Sequence, residues 1–391
     1  MKTPRLHYDD PLLLSGAATL IEVARFSDRP SAILDATLFY PESGGQMGDH
    51  GRIDDAEVLD VQLDDRGRVH HLLASPIDGA PKTVRIEVDE TRRRAHMALH
   101  TAQHALSRAL LDRLGATTLS SRLGASACTI DVDRAGLTTS ELGPIEDAIN
   151  ALVDEDREVR QRFVDEDELA RLALRKPPPE TDRVRVVEID GFDTTPCGGT
   201  HATSTAQIEL VVITSAERYK GGTRISFEAG PRGRRTLKSS FDRLRDTAAA
   251  LRCAPDEVDA IVAGLKDKLD AAQRGAGELR ARLADALAAG LLGRRDGSAI
   301  VAALDGVDAE LLGALASRLA TDEVVVVLGA RSAEQMTVIA KRGPRSSADS
   351  GALLRAIVTA GGGRGGGRPE QAQGKMRADA DLEALARAAG L

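Results

Sequence analysis

The sequence predicts an α+β protein built in four consecutive parts, on three observations. Residues 1 to 90 alternate short apolar runs with Asp, Gly and Pro turns, the signature of a small β-barrel. Residues 91 to 231 mix helical and extended patterns, as in an α/β sandwich. From 232 to 293 the apolar residues recur at helical, heptad-like intervals, and 294 to 391 return to alternating helix and strand.

In the first part, Ala18 to Val23, Ser31 to Leu34, Val58 to Leu63, Val69 to Leu73 and Thr83 to Val88 read as strands. Between them, Phe39 to Gly51 is glycine-rich, with four glycines in the eight residues from Gly44. Such a stretch allows backbone with positive φ and close approach of a ligand. A helix follows from Glu90 to Leu114, capped by Asp89 or Thr91. Arg92, Arg93 and Arg94 in its first turn oppose the helix dipole, which points to an anionic partner for them. Ala125 to Val132 reads as a strand, and Leu142 to Leu152 as a helix carrying on toward Arg160. A short helix over Glu166 to Leu174 stops at three prolines. Strands then follow at Val184 to Ile189, Ile208 to Ser215 and Thr223 to Ala229.

Leu237, Phe241, Leu244, Ala248 and Leu251 mark one spacer helix, and Val258 to Leu287 a second after Pro255. In the last part, strands are expected at Ala299 to Ala303, Val324 to Leu328 and Met336 to Ala340, with helices at Glu310 to Ala320 and Gly351 to Val358. The run Gly361 to Pro369 holds six glycines and two arginines. It follows a helix and lacks Gly-Lys-Ser/Thr, so it is neither a dinucleotide loop nor a P-loop. Such a run suits backbone that hugs phosphates, or a linker.

Composition narrows the function classes. Apolar content is 42% and charged content 29%, ordinary for a globular chain, while aromatics are 2% with no Trp. Three cysteines offer no disulfide framework and fit a reducing, cytoplasmic setting. Residues 1 to 25 lack a secretion pattern and no apolar run approaches the ~20 residues of a membrane span. The net charge of −8 disfavours nucleic acid in bulk. Local basic clusters (Arg92 to Arg94, Arg232 to Arg235, Lys341 to Arg345, Arg364 with Arg368) would together make a phosphate track.

Four residues carry the chemistry. His100 and His104 stand four apart on the first helix, on one face. Cys197 and His201 show the same spacing in Cys197-Gly198-Gly199-Thr200-His201, a tight loop after Pro196. Three imidazoles and a thiolate fill a tetrahedral Zn2+ shell. Thr101 replaces the glutamate that a helical zinc protease needs, which argues against peptidase chemistry.

These motifs, in this order, resemble the alanyl-tRNA editing family: the editing half of alanyl-tRNA synthetase and its free-standing long AlaX relatives. Phe39 to Gly51 resembles the glycine-rich motif, the two pairs its zinc motifs, and Gly361 to Gln373 the core of a DHHA1 domain. No aminoacylation core precedes them, so aminoacylation is not expected. The resemblance implies zinc-dependent hydrolysis of Ser-tRNA(Ala), and of Gly-tRNA(Ala). Ser-tRNA(Thr) hydrolysis and a non-catalytic zinc-held RNA module are the alternatives. Leu119-Ser120-Ser121-Arg122 stands where family synthetases often carry a Gln. Candidate catalytic residues are Cys197, Thr37 as sensor of the serine hydroxyl, Gln46, and Asp49 (or Glu42) as base. Gly44, Gly45, Arg92, Gly362, Gly363, Arg364 and Gly366 are candidates for RNA contact. His96, one turn before His100, is a candidate to support the metal ligands. A homodimer through the spacer or the last domain is a further expectation.

Overall fold

The computed structural model describes residues 2–181 and 183–391. Six strands come first: β1 (Ser15–Phe26), β2 (Arg29–Leu34), β3 (Gly51–Ile53), β4 (Ala56–Leu63), β5 (Val69–Leu73) and β6 (Lys82–Val88). They close into a barrel in the order β1-β2-β5-β4-β3-β6. Period-2 alternation turns Leu20, Ile53, Val58, Val61 and Ile86 into its interior.

Helix α1 (Glu90–Leu114) starts at Asp89, whose carboxylate accepts from the Arg92 amide, and ends on the left-handed Gly115. After it come β7 (Thr118–Leu123), β8 (Cys128–Val132), α2 (Thr139–Asp154), β9 (Val159–Val164), α3 (Glu166–Leu169), β10 (Val184–Ile189), β11 (Asp193–Pro196), β12 (Val211–Tyr219) and β13 (Gly222–Ala229). They form a four-stranded sheet, β12-β13-β8-β7, and a three-stranded sheet, β11-β10-β9. Leu106 and Leu110 of α1 and Ile149 of α2 share one core with Ile130, Ile225 and Phe227 of the larger sheet. The chain does not stay helical to Arg160. It turns at Asp156, which has positive φ, and Val159–Val164 pairs with β10. Val159 and Val164 are buried at the ends of that strand, so burial overrides the helical reading.

Helices α4 (Gly230–Leu251) and α5 (Val258–Leu292) follow, separated by the break at Pro255. Gly275 and Gly277 leave α5 uninterrupted. The C-terminal region comprises β14 (Ala299–Asp305), α6 (Ala309–Leu319), β15 (Val325–Arg331), β16 (Gln335–Arg342), α7 (Ser350–Ala360), β17 (Arg364–Gly367), β18 (Gln371–Arg377) and α8 (Leu382–Ala388). Its sheet order is β14-β15-β16-β18-β17, with β14 and β15 parallel across α6. Val326 and Leu328 pack with α6, and Val327 with α7, so the sheet is covered on both faces.

The glycine run is neither a linker nor an irregular loop. Residues 364–367 form edge strand β17, paired with β18. A Cβ on Gly365 would lie 2.6 Å from the Gly374 Cα, so the two strands approach through paired glycines.

By compactness the chain divides into two units, Met1–Thr247 and Ala248–Leu391. No helix of the described residues is long and apolar enough to cross a membrane.

Candidate metal centre

His100 and His104 project from the middle of α1, and the Cys197–His201 loop leaves β11 toward them. The four ligand atoms lie within 4.8 Å of one another. The Cys197 Sγ is 3.5 Å from His100 Nε2 and 3.4 Å from His201 Nε2. Tetrahedral zinc with ordinary Zn–S and Zn–N bonds would set those edges at about 3.5 Å.

Hydrogen bonds at the outer ring nitrogens orient His100 and His201. His100 Nδ1 donates to Gln46 Oε1 at 2.7 Å, which leaves Nε2 a lone pair facing inward. Thr101 gives its hydroxyl proton to the Met97 carbonyl at 2.8 Å and accepts from His201 Nδ1 at 3.2 Å. His104 Nδ1 is buried without a hydrogen-bond partner, 3.7 Å from the Asp193 carboxylate. Burial, then the neighbouring histidines, push His104 and His201 well below the usual imidazole range, which keeps them neutral. Burial opposes ionisation of Cys197, but the imidazoles of His100 and His201 outweigh it and lower the thiol well below its usual value. Three imidazoles and one cysteine sulfur, gathered within 4.8 Å, are the donor set of a zinc site, so these residues fit the ion.

The loop backbone is shaped for this packing. A Cβ on Gly199 would lie 2.2 Å from His100 Cε1, so only glycine lets the ring lie against the loop. Buried Arg185 of β10 donates to the carbonyls of Cys197 (2.9 Å) and Gly199 (2.8 Å). Gln46 reaches the same loop, since Nε2 donates to Thr200 Oγ1 at 2.8 Å while Oε1 accepts from the Thr200 amide at 3.2 Å. One side chain of the glycine-rich motif thereby ties both zinc motifs together.

A cavity of about 290 Å³ opens beside the quartet. His100, His104 and Cys197 line it, together with Gly44, Tyr40 and the polar pair Gln103 and Ser107. The three histidines are buried, while Cys197 is partly exposed. Arg175 and Lys176 also line the cavity. Arg175 is held by Asp193 at 2.9 Å.

Several candidate residues lie elsewhere. Thr37 is buried in the barrel, bonded to His71 Nε2 at 2.7 Å, and is absent from the cavity lining. Asp49 is fully buried and accepts from Arg93 Nε at 3.1 Å and from the Tyr40 amide at 2.6 Å, so it is a structural ion-pair partner and not a free base. Glu42 is exposed and bonded to Gln62. His96 neighbours Met47 and Arg92, away from the quartet. The arginine run has protein partners. Arg93 is paired with Asp49, Arg94 with Glu90, and Arg92 donates to the Gly48 carbonyl at 3.0 Å. Gly45 takes the Leu123 amide on its carbonyl at 2.7 Å, closing the glycine-rich segment onto β7. Gly362, Gly363 and Arg364 line an open groove of about 620 Å³ with Lys375 and Arg377, and Gly366 lies outside it.

Residues 184–226 match the threonyl and alanyl tRNA synthetase second additional domain, and residues 296–390 match the DHHA1 domain. A probable alanine–tRNA ligase, chloroplastic/mitochondrial, of Ostreococcus tauri is 32% identical over 95% of this chain and 41% of its own length. The alanine–tRNA ligase of Parafrankia sp. is 35% identical over 90% and 42%. That of Methanopyrus kandleri is 31% identical over 96% and 43%. The chain belongs to the alanyl-tRNA editing family. It spans less than half the length of these relatives. Within this family framework, sequence reading missed Thr101, Arg185 and Asp193 as supports of the metal ligands. An arginine in the otherwise apolar Val184-Arg185-Val186-Val187 strand, and an acid four residues before Cys197, were the available signals.

Proposed function

We propose that the chain is a zinc-dependent aminoacyl-tRNA deacylase that hydrolyses Ser-tRNA(Ala) and Gly-tRNA(Ala). The observation that carries this reading is the quartet, with His100 and His201 oriented by Gln46 and Thr101, opening into a small cavity with a polar wall. The named activity of the relatives supplies tRNA(Ala) as the partner. Bound there, the ion supplies Lewis acidity toward an ester carbonyl or a water. Gln46, Thr101 and Arg185 hold the ligands and the loop in place. Cys197, the partly exposed member of the quartet, is assigned as the ligand that substrate meets. Gln103 donates to Ser107 Oγ at 2.8 Å, and Thr118 donates to the same oxygen at 2.8 Å. We assign to this wall, and not to Thr37, the hydrogen bond to a serine hydroxyl, a group that size alone discriminates poorly.

The groove of Arg364 and Lys375 is proposed to dock the tRNA body. Exposed Leu237, Phe241 and Leu244 on α4 and Leu265 and Leu269 on α5 are proposed to meet a second copy, which sedimentation of the full chain tests. Four protein ligands also suit a purely structural ion, so a non-catalytic tRNA-binding module is the second reading. Deacylation of Ser-, Gly- and Ala-tRNA(Ala) by the purified protein decides between them. Ser-tRNA(Ala) is expected to be cleaved and Ala-tRNA(Ala) spared. Cys197→Ala is expected to lower zinc from about one per chain and abolish cleavage. Spontaneous rates with intact tRNA binding would leave the structural-ion reading standing.

A further inference from the structure

A second groove, of about 880 Å³, adjoins the metal cavity along β7. The two share Leu119, Ser120 and Ser121 as lining. β7 is the edge of its sheet, and Leu119 on it is 67% exposed. The groove continues over Arg122, Tyr219, Lys220 and Arg224.

Three cations, Arg122, Lys220 and Arg224, line it with two carboxylates, Glu42 and Asp131. Arg122 and Lys220 are exposed and form no ion pair among the described residues. Arg224 is fixed from two sides. Its guanidinium bonds Asp131 at 2.7 and 2.9 Å and lies 3.5 Å over the Tyr219 ring. A guanidinium held flat in this way is a stacking platform for a nucleobase. Beside it, Arg122 and Lys220, whose ammonium lies 5.1 Å over the Tyr219 ring, suit phosphodiesters in a chain whose net charge is −8. The metal cavity has room for an aminoacyl ester but not for the polynucleotide attached to it, so the nucleic acid must leave through a neighbouring opening.

We propose that the groove formed by Arg122, Tyr219, Lys220 and Arg224 beside β7 binds the single-stranded 3′ end of the tRNA and leads its terminal ester over Ser120 and Ser121 to the metal cavity. The proposal rests on the deacylase reading and adds the path of the substrate. Its test is the double variant Arg122→Gln/Lys220→Gln, with two readouts on the full chain. One is the affinity for a fluorescent ACCA oligonucleotide, and the other is hydrolysis of Ser-tRNA(Ala) and of seryl-adenosine, an ester without phosphates. The variant is expected to weaken oligonucleotide binding about tenfold or more, with a shallower salt dependence. It is expected to lower kcat/KM on Ser-tRNA(Ala) through KM and leave seryl-adenosine unchanged. Unchanged oligonucleotide affinity, or an equal loss on both esters, would overturn the groove. Failure of the wild-type protein to cleave either ester would overturn the deacylase reading instead, and the oligonucleotide measurement would still decide the groove.

Discussion

Gln103 occupies the position between the two helical ligands, and its amide group closes one wall of the cavity. Its nitrogen is committed to Ser107, and its oxygen takes no hydrogen bond from the described residues. A substrate hydroxyl could complete it, whereas a glycyl group offers nothing. Gln103→Leu should therefore reduce the ratio of kcat/KM for Ser-tRNA(Ala) over Gly-tRNA(Ala) by about tenfold, the worth of one net hydrogen bond. Equal losses on the two esters would mark Gln103 as a packing residue. At this scale the sequence disclosed the quartet, because i, i+4 spacing on a helix and in a tight loop constrains geometry directly. It did not disclose where Thr37 and Asp49 point. Thr37 precedes the glycine-rich motif and Asp49 lies within it, but the chain there passes from barrel interior to cavity within a few residues, and nearness in sequence does not carry direction. Arg93 shows the same limit. A basic run reads as a surface feature until one member is found buried against Asp49.

Within the barrel, strand β5 carries a titration of its own. His71 is fully buried, donating from Nδ1 to the Ala32 carbonyl at 2.9 Å and meeting Thr37 with Nε2. Burial, with a smaller push from His70, lowers it to about 4. In the unfolded chain it titrates near the ordinary value of about 6.5. Between these values the unfolded state binds more protons, so the barrel loses stability as pH falls from 6.5 to 4, by up to about 3 kcal/mol. Denaturant unfolding of wild type and His71→Gln across that window isolates the histidine's share. Parallel profiles for the two proteins would count against it. Elements of strong period were legible. The extent of α1 followed from its apolar period and from a cap expected at Asp89 or Thr91, which the structure places at Asp89. The β9 and β17 strands were not, because Val-Arg-Gln-Arg-Phe-Val continues a helical run and Arg-Gly-Gly-Gly has no side-chain pattern at all. What makes each a strand is its partner, β10 or β18.

For the whole molecule, four parts were expected and two compact units are observed. The barrel and the zinc-motif region share the first unit because Asp49, Gln46 and Gly45 all reach across to α1, the metal loop and β7. Contacts of that kind leave no trace in composition. Basic clusters were equally uninformative, since Arg232, Arg342 and Arg345 within them are paired with Glu228, Glu370 and Asp322. Arg364 and Lys375 form no ion pair among the described residues and line the C-terminal groove. Arg364→Glu with Lys375→Glu is expected to raise the Kd for tRNA about tenfold, more at low salt, while seryl-adenosine is cleaved as before. An unaltered Kd would remove RNA docking from this groove.

The reach of Gln46 also sets an order of events during folding. Its amide joins segments 54 and 154 residues away along the chain, and such closures come late because loop entropy must be met before the contacts reward it. The barrel, α1 and the β10–β11 hairpin must all be in register before His100 and Cys197 can face one ion. Metal capture would then be a terminal step that reports a completed first unit. In refolding with cobalt, the thiolate charge-transfer band should lag the far-UV signal. Simultaneous appearance of the two would show that the ligands gather before the barrel does.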